Sequence, residues 1–216
     1  PLVPWISAFV SILWLVTIVN AFNFIDNMDG LCAGISGIAA ISFFFCVAAR
    51  DEYFVAVTLL VFAGSALGFL YHNLPPARVF MGDAGAMFCG YVLGVLAIVG
   101  TFYTETSGTR VAIAAPLLAL AVPLFDMASV VWLRIRRREN IMKGDKRHFS
   151  HRLVTLGMQP RSAVLTIYLA TLATGLSATL LPRADVTAAC LIVAECCCVV
   201  LIIAILEHKR INGNRS

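Results

Sequence analysis

What this sequence lacks first is charge. Asp, Glu, Lys and Arg make up 13% of its 216 residues, about half the share usual in soluble domains, so most of the chain cannot build a water-facing surface. Apolar and polar positions do not alternate over ten-residue stretches, which excludes the strands of a membrane β-barrel. The seven cysteines form no CxxC pair and no Cys/His metal spacing, which predicts small buried hydrophobes. No loop ends in G-K-[ST], so nothing here is a P-loop. The chain opens "PLVPW", without Met, a charged n-region or a cleavage site. No signal peptide is read there, and Pro1 is read as the start of a fragment whose N-terminal part lies upstream.

What is present is apolar sequence: 60% of residues are hydrophobic and the mean hydropathy is +0.90. The apolar runs are 2–22, 31–49, 53–71, 84–102, 111–133, 163–181 and 186–206. Each is near the roughly 20 residues that carry a helix across hydrocarbon. The predicted class is an all-α polytopic membrane protein with about seven transmembrane helices, one domain over 1–216, and a long loop at 134–162. Basic residues sort the connections. Arg78, Arg134, Arg136, Arg137, Arg138, Lys143, Lys146, Arg147, Arg152, Arg161, Lys209, Arg210 and Arg215 fall on one side, against only Arg50, Arg110 and Arg183 on the other. Positive-inside bias puts the first set in the cytoplasm and the N-terminus outside.

The polar residues gather on that same cytoplasmic side. In "NAFNFIDNMDG" (20–30), Asn20, Asn23 and Asn27 fall within an arc of about 60° on a helix, with Asp26 beside Asn23 and Asp29 following. This is either an amide-rich helix end with a simple turn, or a wall that binds a cation or polar substrate. Two acids at membrane depth favour the second, because such groups need partners there. In "HNLPPARVFMGDAGAMFCG" (72–90) two prolines interrupt the helix. Asp83 then stands between Gly82 and Gly85, as a helix cap or where a phosphate can approach closely.

In "RIRRRENIMKGDKRHFSHRL" (134–153) topology or lipid headgroups explain the first arginines. They explain less well the cluster of Asp145, His148, His151 and Arg152, where a helical turn would put both histidines on one face. Asp126, in "PLFDMAS", is placed to orient a basic group of that loop. Glu195 is mid-span without an evident partner and reads as packing or protonated burial. Acids able to hold a divalent cation, facing Arg and His, suit the handling of a pyrophosphate.

Four pieces, "NAFNFIDNMDGL", "FMGDAGAMFCGY", "PLFDMASVVWLR" and "DKRHFSHRL", resemble in sequence and order the polyprenyl-phosphate N-acetylhexosamine-1-phosphate transferase family, of glycosyltransferase 4 type. The resemblance runs from residue 20 to about 153, and the chain is similar to the last seven of the family's roughly eleven helices. It implies transfer of a sugar-1-phosphate from a UDP-N-acetylhexosamine to undecaprenyl phosphate, with release of UMP. This is an initiating step of a cell-envelope polysaccharide, at the bacterial inner membrane with the site facing the cytoplasm. Mg²⁺ is the implied cofactor, with Mn²⁺ as the alternative. Membrane lipids surround the protein, a homodimer is compatible with it, and no nucleic acid is implied.

By resemblance Asp83 and Asp29 would be metal ligands, and Asp26, Asp29 and Asp83 the catalytic acids. Asn20, Asn23, His148, His151 and Arg152 would bind substrate. "DKRHFSHRL" is closer to the GlcNAc-1-phosphate branch than to the muramoyl-pentapeptide branch, although Ser150 stands where that branch usually carries a third histidine. The family's Asp-Asp-x-x-Asp segment has no match in residues 1–19, so the piece alone is expected to be inactive. An ion-coupled transporter and a non-catalytic membrane subunit are the alternatives.

Overall fold

The computed structural model describes residues 4–48, 52–100, 110–138 and 148–213. Among them the order is α1 (Pro4–Ile25), α2 (Leu31–Val47), α3 (Tyr53–Asn73), α4 (Gly82–Val99), α5 (Ala115–Ala119), α6 (Ala121–Arg137), α7 (Phe149–Thr155), α8 (Pro160–Leu180) and α9 (Val186–Gly213). Short 3-10 turns lie at Arg110–Ala114 and Leu181–Arg183, and no strand occurs among the described residues. The protein is an all-α polytopic membrane protein. Helices are what such sequences must form, since hydrocarbon offers no partner for an unpaired backbone group.

All seven apolar runs carry helix, and four or five of them are long and apolar enough to span. By length and composition four helices cross a membrane on their own: Pro4–Ile25, Tyr53–Asn73, Gly82–Val99 and Pro160–Arg183. The predicted span 111–133 is broken into two helices bent by 72° around Leu120. Pro123 has no N–H for the Ala119 carbonyl, and its ring crowds that carbonyl, so the helix cannot run straight through. Counting this pair gives five spans. Leu31–Val47 is a shorter apolar helix, as is the stretch Val186–Ile202 of α9, so length and composition establish four or five spans and leave the count of seven unconfirmed.

Helix α1 packs on α4 and α6, while α2 lies between α3 and α8. Ile18, Phe22, Leu31, Ile35, Phe43, Leu93 and Ile167 are fully buried between them. In lipid, close fit rather than water exclusion holds helices together. Gly90 shows how close: a Cβ there would meet the Ile18 carbonyl and the Val19 Cα at 2.9 Å. Trp5, Phe9, Phe54, Phe88 and Leu169 point outwards, as lipid-facing residues do.

Two expectations are corrected here. Cys32, Cys46, Cys89 and Cys196 are buried, but Cys190, Cys197 and Cys198 are exposed, since a thiol is apolar enough to face hydrocarbon. Glu195 is exposed and not without a partner: Ser177 Oγ donates to its Oε2 at 3.2 Å.

Candidate active site

The ends of α1, α3 and α6 and the starts of α2, α4, α7 and α8 share one end of the bundle, and side-chain hydrogen bonds tie them together. Helix α1 stops at Ile25, and Gly30, at φ +79°, turns the chain back into α2, a conformation open to glycine without strain. Asn73, the last residue of α3 and 4% exposed, holds this turn. Its Oδ1 accepts from the Gly30 N–H at 2.9 Å and its Nδ2 donates to the Val79 carbonyl at 2.8 Å. Asp29 Oδ2 accepts from the Ala77 N–H at 3.0 Å. The α3–α4 connection is thereby stitched onto the α1–α2 turn. From outside, Arg161 clasps the same connection through the Pro75 carbonyl at 2.9 Å.

These tethers shape a cavity of about 360 Å³ lined by Asp26, Asn27, Asp29, Asn73, Gly82 and Asp83, with Met28, Phe80 and Met81 completing its wall. Asp83 lies in the first turn of α4 and no side chain caps that helix, so a capping role is not what places it. Asp26 is held up from 3.8 to about 6, first by burial and then by repulsion from Asp83, with the Gly82 N–H pulling the other way. Asp83 thus opposes the ionisation of Asp26 across a cavity that both line.

The second cluster is built on Asp126, in α6 and 1% exposed. Its Oδ1 accepts from the Phe149 N–H at 2.5 Å, and its Oδ2 lies 3.0 Å from His148 Nδ1. Arg152 comes within 3.9 Å of Asp126 Oδ1 and donates to Ser129 Oγ at 2.6 Å. Asp126 therefore does orient the basic segment that follows, as its position in the sequence predicts. The His148 ring meets Phe24 of α1 edge-on at 5.6 Å, and the Arg134 guanidinium lies 5.7 Å over the same Phe24 ring. Ser150 Oγ donates to Asn27 Oδ1, and Asn27 Nδ2 donates to the Phe24 carbonyl at 2.7 Å. Asn27 is thus a wall shared by the two clusters.

Of the residues singled out from sequence, Asp26, Asp29 and Asp83 meet in the cavity, and His148 and Arg152 meet at Asp126. The two histidines differ in station: His148 precedes α7, buried, while His151 lies one turn inside it, half-buried. Asn20 does not reach the site; it is exposed and donates to the Val16 carbonyl of its own helix at 2.7 Å. Asn23 Oδ1 is buried without a hydrogen-bond partner among the described residues, and Asn23 does not line the cavity. Asp145 lies outside the described residues. Asn73, Ser129 and Ser150 were not read from sequence as site residues. Only Asn73, polar at the end of an apolar run and two residues before Pro75, carried a local signal.

Could a divalent cation sit here? Among the described residues no three His, Cys, Asp or Glu side chains are grouped as a complete metal cage. Mg²⁺ needs no such cage; it takes one or two carboxylates and fills its other positions with water and phosphate oxygens. Asp26 and Asp83, carboxylates lining one open cavity, fit that donor set, and Asp29 has one oxygen beyond its bond to Ala77.

Residues 1–101 match the sequence profile described as "Glycosyl transferase family 4". The chain is 36% identical over 182 residues to the "Probable undecaprenyl-phosphate N-acetylglucosaminyl 1-phosphate transferase" of Bacillus subtilis (strain 168), covering 84% of this chain and 50% of that protein. It is 38% identical over 179 residues to the "Decaprenyl-phosphate N-acetylglucosaminephosphotransferase" of Mycobacterium leprae (strain TN), covering 76% and 45%. To the "Phospho-N-acetylmuramoyl-pentapeptide-transferase" of Chlamydia muridarum (strain MoPn / Nigg) it is 41% identical over 92 residues, 41% of this chain and 28% of that protein. This last match is too short to contain both Asp26 and His148; the first is long enough to contain both clusters. The chain spans about half the length of the curated relatives that it matches.

Proposed function

Since residues 1–101 belong to glycosyl transferase family 4, we propose that the protein transfers an N-acetylhexosamine-1-phosphate, GlcNAc-1-phosphate first among them, from a UDP-sugar to undecaprenyl phosphate. UMP is the product released. A lipid phosphate oxygen attacks the β-phosphorus of the donor; the bond from that phosphorus to the bridging oxygen breaks, and the electron pair leaves with UMP. The inverse charges of the two clusters support this reading. One observation carries it: an acid-lined cavity and a His/Arg segment, distant in sequence, share Asn27.

In this reading Asp83 and Asp26 hold Mg²⁺, with Asp29 beside them, and the cation when bound offsets phosphate charge. Asp29 also holds the cavity floor through Ala77. Arg152 and His148 approach the diphosphate with positive charge and donors, held by Ser129 and Asp126. His151 lies on the same short helix, where it adds a contact to sugar or phosphate. For phosphoryl transfer, such positioning and electrostatic stabilisation supply most of the rate. The excess of Lys and Arg in the connections on this side of the sequence supports a cytoplasm-facing site in the bacterial inner membrane.

The test uses membranes carrying the protein expressed from its complete reading frame, with undecaprenyl phosphate, Mg²⁺ and UDP-GlcNAc. UMP release that needs lipid and Mg²⁺ and is lost in D83N supports the reading. Release from another UDP-N-acetylhexosamine alone would change the sugar. Folded protein that releases no UMP with any donor would overturn the transferase assignment.

A further inference from the structure

Asp126 does not line the acid cavity, yet it is the most buried carboxylate among the described residues, at 1% exposed. A carboxylate in such a place is strongly disfavoured unless its oxygens are matched. Here they are matched by an asymmetric set. The Phe149 N–H serves Oδ1 and Arg152 approaches the same oxygen, while Oδ2 is reserved for the His148 ring. Oδ2 can only accept, so the ring nitrogen facing it, Nδ1, must carry a hydrogen. The other nitrogen, Nε2, has no hydrogen-bond partner among the described residues. The edge-on contact with Phe24 limits rotation of the ring.

We infer that Asp126 is a positioning residue that fixes His148 as the Nδ1–H form, with Nε2 as the nitrogen presented to a ligand. The inference rests on the proposed transferase site only for what that ligand is, a phosphate oxygen; the tautomer itself does not depend on the reaction. Among the described residues, the charged groups around His148 are Asp126 on α6, Arg152 on α7, and Arg134 on α6 over the shared Phe24 ring. Asn27 and Phe24 on α1 add none. The same logic governs a buried Asp behind a catalytic histidine elsewhere, where changing Asp to Asn keeps the geometry but installs the wrong tautomer.

The measurement is nitrogen-15 NMR of histidine-labelled complete protein in liposomes, with H148Q to assign the resonance. The wild type should show a protonated Nδ1 and an unprotonated Nε2 at neutral pH. In D126N the amide turns its NH₂ towards the ring, and the hydrogen should move from Nδ1 to Nε2. D126E should restore the wild-type pattern at least in part. With UDP-sugar and lipid acceptor, D126N should lose roughly 10- to 100-fold in turnover, the range usual for a group that orients a ligand, with a smaller change in KM. An Nε2–H form in the wild type overturns the inference without recourse to any variant. So does a folded D126N whose His148 spectrum is unchanged. Absence of UMP release from wild type would sink the transferase reading, and the NMR result would still decide this one.

Discussion

The two polar clusters at this end of the bundle are assembled by opposite rules. Around Asp126 charges are complementary: a buried carboxylate meets an imidazole, a guanidinium and a backbone N–H. Around Asp26 and Asp83 they are alike, and among the described residues the relief offered to Asp26 is the Gly82 N–H. A self-satisfied cluster holds its side chains in place before any ligand arrives. A self-repelling one is stabilised only by something brought from outside, which is how a site for a cation or a proton is made. The difference between matched and unmatched charge separates the part that positions from the part that waits.

The comparison is broken most directly by D83N. It removes the repulsion, and with it one of the three acids that line the cavity. UMP release should fall on the order of 10³-fold, with far-ultraviolet circular dichroism unchanged. Next in size is S150A, which uncouples the clusters. Asn27 Oδ1 would lose its donor, and leaving such a group unpartnered costs about 1–3 kcal/mol. A lowered midpoint in thermal unfolding, with helix content retained, is the expected result.

A sharper form uses pH. Folding raises Asp26 from 3.8 to about 6, so between those values the folded protein holds the extra proton. Stability should therefore fall as pH rises from about 4 to 6. D83N should flatten that fall, because the repulsive part of the shift is gone; denaturation followed across this window checks it. Smallest is R161A. Its bond to the Pro75 carbonyl is exposed, and its loss should cost less than about 1 kcal/mol, with activity near wild type.

The sequence made one class of feature legible and hid another. Apolar runs located the long helices within a few residues but not the short α7, which lies within the segment 134–162 read as a loop, and acids beside glycines or at helix ends marked Asp26, Asp29 and Asp83. Asp126 could be assigned to the basic segment because little else at that depth could use a carboxylate. The break at Leu120 was written in Pro116 and Pro123 but lost within an apolar run that reads as continuous. Asn20 misled because helical spacing fixes a face, whereas its amide folds back on Val16. Asn73, Ser129 and Ser150 act through partners 43, 23 and 123 positions away, and no local pattern records such pairings.

The Ser150–Asn27 bond also has a consequence for synthesis. During translation α1 and its acid turn leave the ribosome long before α7 exists, since 123 residues separate the two partners. For that interval the acid wall stands in the nascent chain without the histidine and arginine that complete it. The pairing of acid wall and basic segment is therefore completed late in the life of each molecule, when the segment before α8 docks. A ribosome-arrested chain ending between α6 and α7 would carry the acid half of the site without its basic half.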